Sequence, residues 1–578
     1  MSVRYVQEVP LVSWPCQGKF TEVFLGCGPF LQSLAPVEKT RSPSRDWSNI
    51  SHMVWHRVPK NLALGVLLVS LAAASGYPAG QTSARGSQSP RAHLDQASKY
   101  LAQKDFSRAR AELESAIRID PTNGDAYRTL GEVEFQGGNT AGAISAFEHA
   151  VKLQPKSFSS HYGLGMALLR NNDVKEGLRE LRAAVSLRPN DLNANYNLGV
   201  VLLDQGQPDE AIEHLRKAQA PDESRPEVVY NLVRAELAVN RVDEATAEAR
   251  KAAGPLDSDF NWQAAIGQLF LDHHQPVEAA PYLSRAYALR PDSAEVRHAL
   301  AAACLESKQP QQAIALIKEP EAAEDYYLLA GAKYLLRQYP AAVKDATTAV
   351  SMDSNQPQYL LLAARIEQHL GQHDSALSLL ASAIKLAPKW PDPYYSAGVS
   401  LYCEKRYPEA RKYLQESLEL QPGSARALFL FGVSLASEGN FQEGEAYLRK
   451  AVELSPGNAH FRYYLGEILI RQNRLVDAEE VYTQAIRVDP KYAPLHYQLG
   501  KLLLRSDHAD LAAQETEKAI SLDPDLAQAY YQLVQAYNRL GEKEKSARAA
   551  AAFAKLKKEN MGDREVFYEG VKKELGLP

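Results

Sequence analysis

The sequence predicts an all-α solenoid of about fourteen helix-turn-helix repeats, and three periodic features predict it. A proline returns at 34-residue spacing, at Pro121, Pro155 and Pro189, and again at Pro388, Pro422, Pro456, Pro490 and Pro524. One skeleton surrounds these prolines: Tyr127, Leu130, Gly131, Ala143, Phe147, Ala150 and Pro155 are followed by His161, Leu164, Gly165, Gly177, Leu181, Ala184 and Pro189. A small residue then marks the second helix of every unit, at Ala109, Ala143, Gly177, Ala211, Ala245, Ala279, Ala313, Ala342, Ala376, Ala410, Gly444, Ala478, Ala512 and Ser546. Helices close to about 8–10 Å depending on the side chains between them, and small ones allow the closest approach. This series therefore carries the register through the middle of the chain, where the proline is irregular.

The skeleton resembles the tetratricopeptide repeat, a helix-turn-helix unit, over roughly four-fifths of the chain. The resemblance implies a right-handed superhelix whose first helices line a concave groove that holds partner peptides. Each helix pair exposes an apolar face that only its neighbours can cover, so the core is expected as a seam along the array. Glycines at repeat spacing, including Gly131, Gly165, Gly199, Gly267, Gly398, Gly432, Gly466 and Gly500, are expected to serve helix packing.

The array is expected to run from 90 to 559, closed by a basic, alanine-rich capping helix from Lys543 to Glu559, with a tail at 560–578. One unit departs from the period. The small position advances by 34 from Ala245 to Ala279 but only by 29 from Ala313 to Ala342, and Pro320 falls where other units carry Ala286 or Ala349. The second helix there must end early. Two readings stand: a discontinuity between an N-terminal array (90–322) and a C-terminal array (323–559), or a shortened loop.

Ahead of the array, residues 53–74 read as a signal peptide or signal anchor. Arg57 and Lys60 precede an uncharged apolar run at 62–74, and Ala72, Ala73 and Ala74 suit cleavage before Ser75. As a helix the run spans about 20 Å, short of a hydrocarbon core about 30 Å thick. Residues 1–52 are then a mis-assigned start, with Met53 the true one, or a cytoplasmic extension before an uncleaved anchor. Both readings place the repeats across the membrane, exported to a periplasm or beyond. Residues 75–89 read as a flexible linker rich in Gly, Ser and Pro.

Composition narrows the function. A net charge of -5 with basic residues interspersed among acids argues against a nucleic-acid platform, which would show a basic stripe. Cys304 and Cys403 fall three repeats apart, too far for a disulfide, and are expected as free thiols. His273 and His274 are expected as exposed polar residues of a turn. Metal-ligand spacings, phosphate-binding glycine loops and nucleophile elbows are absent from the sequence, so no cofactor, metal or catalytic residue is predicted. No catalytic domain is expected in the 18 residues after 560, unlike the sugar transferases that carry such repeats ahead of a large catalytic region.

The candidate binding residues form an aromatic ladder: Tyr162, Tyr196 and Tyr230, then Tyr327, Tyr395, Phe429, Tyr463, Tyr497 and Tyr531, all at one place in successive first helices. The resemblance implies that this place faces the groove. Tyrosine offers apolar area with few rotors and a hydroxyl that can find a partner, yet the same ring can brace neighbouring helices, so contact and brace both remain open. Members of the family that grip a terminal carboxylate use lysines, arginines and asparagines over three repeats. Here Asn197 and Asn231 are candidate asparagines, but Tyr162, Met166, Tyr196 and Val200 stand where other clamp residues are expected, which argues against a clamp. The predicted function is an exported, non-enzymatic scaffold for protein or peptide partners in bacterial envelope assembly or secretion. The alternatives are a glycan-binding periplasmic guide, whose tyrosines stack sugar faces, and an accessory subunit of a separate enzyme.

Overall fold

The computed structural model describes residues 89–219 and 225–559; the expected leader, signal segment, linker up to 88 and tail at 560–578 lie outside the described residues. Twenty-eight helices and no strand are found among the described residues, arranged as fourteen antiparallel pairs. We call the first helix of each pair helix A and the second helix B.

Local chemistry starts and stops the helices as the repeat requires. Asn123, Asp191 and Ser424 cap helices A by accepting from the backbone N–H three residues on, at 3.0, 2.9 and 3.4 Å, which satisfies an otherwise orphaned donor. Pro226, Pro357 and Pro391 open others at the first helical position, where the missing N–H costs nothing. Between helices A and B one residue per repeat takes a left-handed conformation. Gly138, Gly206, Gly371, Gly439 and Gly541 supply it in five repeats, and Lys104, Asn172, Asn240, His274, Lys308, Arg337, Lys405, Asn473 and Asp507 in the others. His274 is therefore the reversal residue of its turn, at φ 56°, and both it and His273 are half-buried rather than exposed.

Packing within a pair follows a small-against-large rule. All fourteen small positions of helix B, from Ala109 to Ser546, are buried. The glycines of helix A face a large residue sixteen positions on: a Cβ on Gly131 would come within 2.7 Å of the Phe147 ring, one on Gly199 within 2.7 Å of Leu215 Cγ, and one on Gly466 would overlap the Tyr482 ring. Helices B also pack on the next helix A within a unit, so a core cluster is a stretch of seam, such as Leu181, Leu198, Leu202 and Leu215.

The described residues fall into two compact units, up to Ala303 and from Cys304 onward. The division lies inside a helix A, Ala294–Glu306, one helix ahead of the 322/323 boundary expected from the shortened unit. That unit's helix B, Pro310–Leu316, has seven residues. It ends before Pro320, as expected. Ile317, though outside the helix, still fills the core place of Phe147 and Leu283, 4% exposed. Asp325 lies in the first turn of the next helix A, Ala323–Leu335, where its buried carboxylate accepts from the backbone N–H of Glu321 (3.1 Å) and Ala322 (3.0 Å). In both units, helices A of successive repeats approach one another more closely than helices B do, so each unit bends towards its A-helix side.

Candidate functional site

The inner face of each unit is thus made by helices A, and the ladder lies along it. In the N-terminal unit Tyr162, Tyr196 and Tyr230 are half-buried. The hydroxyls of Tyr162 and Tyr196 reach the next helix A. Tyr162 Oη accepts from Asn197 Nδ2 at 2.7 Å, and Tyr196 Oη from Asn231 Nδ2 at 3.4 Å. Burial, with a smaller contribution from Asp191, pushes the Tyr162 hydroxyl up to about 12, and burial also raises Tyr196 and Tyr230. All three are neutral donors and acceptors near neutral pH. Asn197 and Asn231 are engaged in this brace, and Asn231 is 2% exposed and donates also to the Glu227 carbonyl at 2.8 Å.

In the C-terminal unit the ladder divides by depth. Tyr327, Phe429 and Tyr463 are buried, Tyr395 and Tyr497 half-buried, and Tyr531 is 52% exposed. Phe429 stacks on Phe461 (centroids 4.8 Å apart) and meets Tyr464 edge-on at 5.3 Å. Tyr327 lies 4.7 Å from the Tyr359 ring. Tyr463 accepts from Gln498 Nε2 at 3.4 Å, and burial raises its hydroxyl. At the far end Tyr531 leans on Phe553 of the closing helix Lys543–Glu559. One register therefore holds buried rings that set the spacing of helices A and half-buried or open rings that a partner can touch.

A pairing at 35-residue separation, which the sequence reading missed, runs through the same seam. Besides the Asn and Gln contacts above, it joins Tyr359 to Glu324, Tyr334 Oη to His369 Nε2 (2.9 Å) and Tyr402 Oη to Ser437 Oγ (3.5 Å). A polar residue 35 positions after the tyrosine, or before it at Tyr359, was its signal.

Among the described residues no group of three or more His, Cys, Asp or Glu side chains could hold a metal ion. Cys304 and Cys403 are buried free thiols. Among the described residues no helix is long and apolar enough to cross a membrane.

Comparison with known proteins gives one consistent family. A small glutamine-rich tetratricopeptide repeat-containing protein 2 of Mycosarcoma maydis is 32% identical over 82 residues, 14% of this chain and 23% of that protein, so the match spans under a quarter of the relative's length. Among solved structures, the APC/C hetero-tetramer Cut9-Hcn1 matches at TM-score 0.39 and 16% identity, over 78% of this chain and 98% of that one. MamA matches at TM-score 0.28 and 24% identity, over 29% and 92%. YrrB, described as a TPR protein with an unusual peptide-binding site, matches at 0.28 and 21%, over 33% and 97%. Profiles of the tetratricopeptide repeat match residues 94–158, 162–226, 327–391 and 395–459, then 202–269, 270–325 and 435–499, and finally 493–526. With fourteen helix pairs on the same register, the chain belongs to the tetratricopeptide-repeat family.

Proposed function

We propose that this chain is an exported, non-enzymatic scaffold that holds protein or peptide segments along the A-helix face of its units, in envelope assembly or secretion. The observation that carries the reading is the ladder, whose half-buried or open members Tyr162, Tyr196, Tyr230, Tyr395, Tyr497 and Tyr531 recur at one register of helix A. A ring already held on one side loses little freedom when a partner covers the other, which makes tyrosine an efficient contact. Membership of a repeat family supports a scaffold, since stacked repeats make an extended binding surface to which each contributes a strip. The charged start, short apolar run and alanines of 53–74 support export.

The test compares open with buried rungs. Tyr497→Leu with Tyr531→Leu should leave the unfolding temperature nearly unchanged while capture of partners from intact envelopes falls sharply. Tyr463→Leu, inside the seam, should instead cost stability, about 1–3 kcal/mol for a shape mismatch in a packed interior. Undiminished capture by the folded double variant would reject the ladder as the contact surface. N-terminal sequencing of the native protein should begin near Ser75; retention of residues 1–52 would reject cleavage and the Met53 start.

A further inference from the structure

One buried acid of the N-terminal unit lacks the partners that an acid at the same register has. Glu134 and Glu236 stand three periods apart, at one place in helix A. Both Glu134 oxygens are served: Arg110 Nε lies 2.5 Å from Oε1, and Arg110 Nη2 and Asn139 Nδ2 donate to Oε2 at 2.6 and 2.7 Å. Glu236, in helix A Pro226–Ala238, is 0% exposed and accepts one bond among the described residues, from Arg216 Nη2 to Oε1 at 3.0 Å. Its Oε2 is buried with no hydrogen-bond partner. A carboxylate taken out of water with an oxygen left bare keeps the full cost of its lost hydration.

The arginine beside it is shared. The same Arg216 Nη2 lies 2.5 Å from Oε2 of exposed Glu244. A third acid, buried Glu248, is near enough to repel a charge on Glu236 and takes its own bonds from Gln219 Nε2 and Lys251 Nζ, each at 2.9 Å. These groups come from the two helices B that flank Glu236, Pro208–Gln219 and Val242–Leu256. His214 of the first is turned to Asn195 Oδ1 at 2.9 Å. The flanking helices A, Leu192–Asp204 and Phe260–Asp272, bring Tyr196, Asp204 and Asp272, the two acids bonded to Arg234 (2.9 Å) and Gln268 (2.7 Å). Burial, the largest effect, outweighs the Arg216 bond and, with Glu248 and Glu244, pushes the Glu236 carboxyl up to about 7.

We propose that this seam is a proton-controlled joint of the N-terminal unit. With Glu236 neutral the helices pack as observed. With Glu236 charged, one shared arginine nitrogen must answer two carboxylates while Glu248 repels, so helix A Pro226–Ala238 parts more often from the helices B beside it and admits water. An opening that lets water reach Glu236 returns the carboxyl to its ordinary value near 4.5, so closing takes up a proton. The stabilisation is fully present below that ordinary value and is lost as pH rises through about 7. The same helix carries Tyr230 and Asn231 of the inner face, so the joint sets how firmly that stretch of face is held, whatever the face binds.

Amide exchange of the full chain, corrected for the intrinsic effect of pH on exchange, tests the joint between about pH 6 and about pH 8.5. In the wild-type chain, protection of Pro226–Ala238 and Val242–Leu256 should fall about tenfold over that range, beyond any change in Phe158–Arg170. Glu236→Gln, a neutral side chain of the same shape, should abolish the excess fall. Glu244→Gln alters an exposed side chain, leaves Arg216 to Glu236 and removes one repelling charge, so it should lessen the fall, and it decides the matter if the first variant does not fold. An absent excess in the wild-type chain, or an undiminished one in folded E236Q or in E244Q, would overturn the joint, and so would protection there that rises with pH.

Discussion

At the scale of residues, the array is governed by a few positions whose neighbours leave no choice. Gly466 shows the tightest: any Cβ would run into the ring of Tyr482, which is fully buried and donates to Glu467 Oε1 at 2.7 Å. The ring cannot swing aside without breaking that bond. Titration is also legible residue by residue. His496 places Nδ1 2.7 Å from Glu515 Oε2 and Nε2 3.0 Å from the Pro490 carbonyl. Burial lowers its affinity for a proton, but these two acceptors and the Glu515 charge outweigh burial and leave the folded value raised. A raised folded value means that the protonated histidine stabilises the fold. That contribution is fully present below the unfolded value of about 6.5 and is lost as pH rises through the folded one. The stability difference between wild type and His496→Gln should therefore be larger near about pH 6 than about pH 8, measured by urea unfolding. A difference that grows with pH would show that the neutral ring is the stabilising form.

At the scale of elements, the turn and the shortened unit show how local chemistry serves the period. One left-handed residue reverses the chain in each repeat, and in nine of fourteen it is not glycine. The period is therefore kept by the packing on either side of the turn, which overrides a local preference worth roughly 1–2 kcal/mol per residue. In the shortened unit, Ile317 keeps its core place after its helix has ended, and Asp325 gathers the backbone donors left behind by the missing turn. Asp325→Ala should cost about 1–3 kcal/mol, because two N–H groups lose a buried charged acceptor. It should also speed cleavage by a glutamate-specific protease at Glu319 and Glu321; an unchanged cleavage rate would mean that Ile317 alone holds the connection.

At the scale of the whole molecule, the consequence is locality of damage. Within each unit the helices found in contact are near neighbours in sequence, so the stability of a unit is close to a sum of repeat and neighbour terms. Gly466→Ala should strip amide-exchange protection from helices around Ala459–Arg471 and Leu475–Val488 while helices such as Phe158–Arg170 and Leu192–Asp204 keep theirs. Uniform loss of protection along the chain would show a cooperative core instead.

Repeat length, register, the small and glycine positions and the early end of one helix were all legible in the sequence, because they reflect contacts between residues at fixed separations along one chain. The depth of the ladder was not. Nine aromatics share one register, yet Phe429 is covered by Phe461 and Tyr464 while Tyr531 stands half open beside Phe553. The difference lies in the sizes of side chains one repeat away, which periodicity averages out. The pairing of Tyr162 with Asn197 and the contact of Arg365 with Asp392 likewise appear only when successive helices A are brought side by side. Spacing in the sequence determines which residues share a face, but tertiary packing decides which are covered and which are braced, because burial depends on neighbours that the period brings close without specifying.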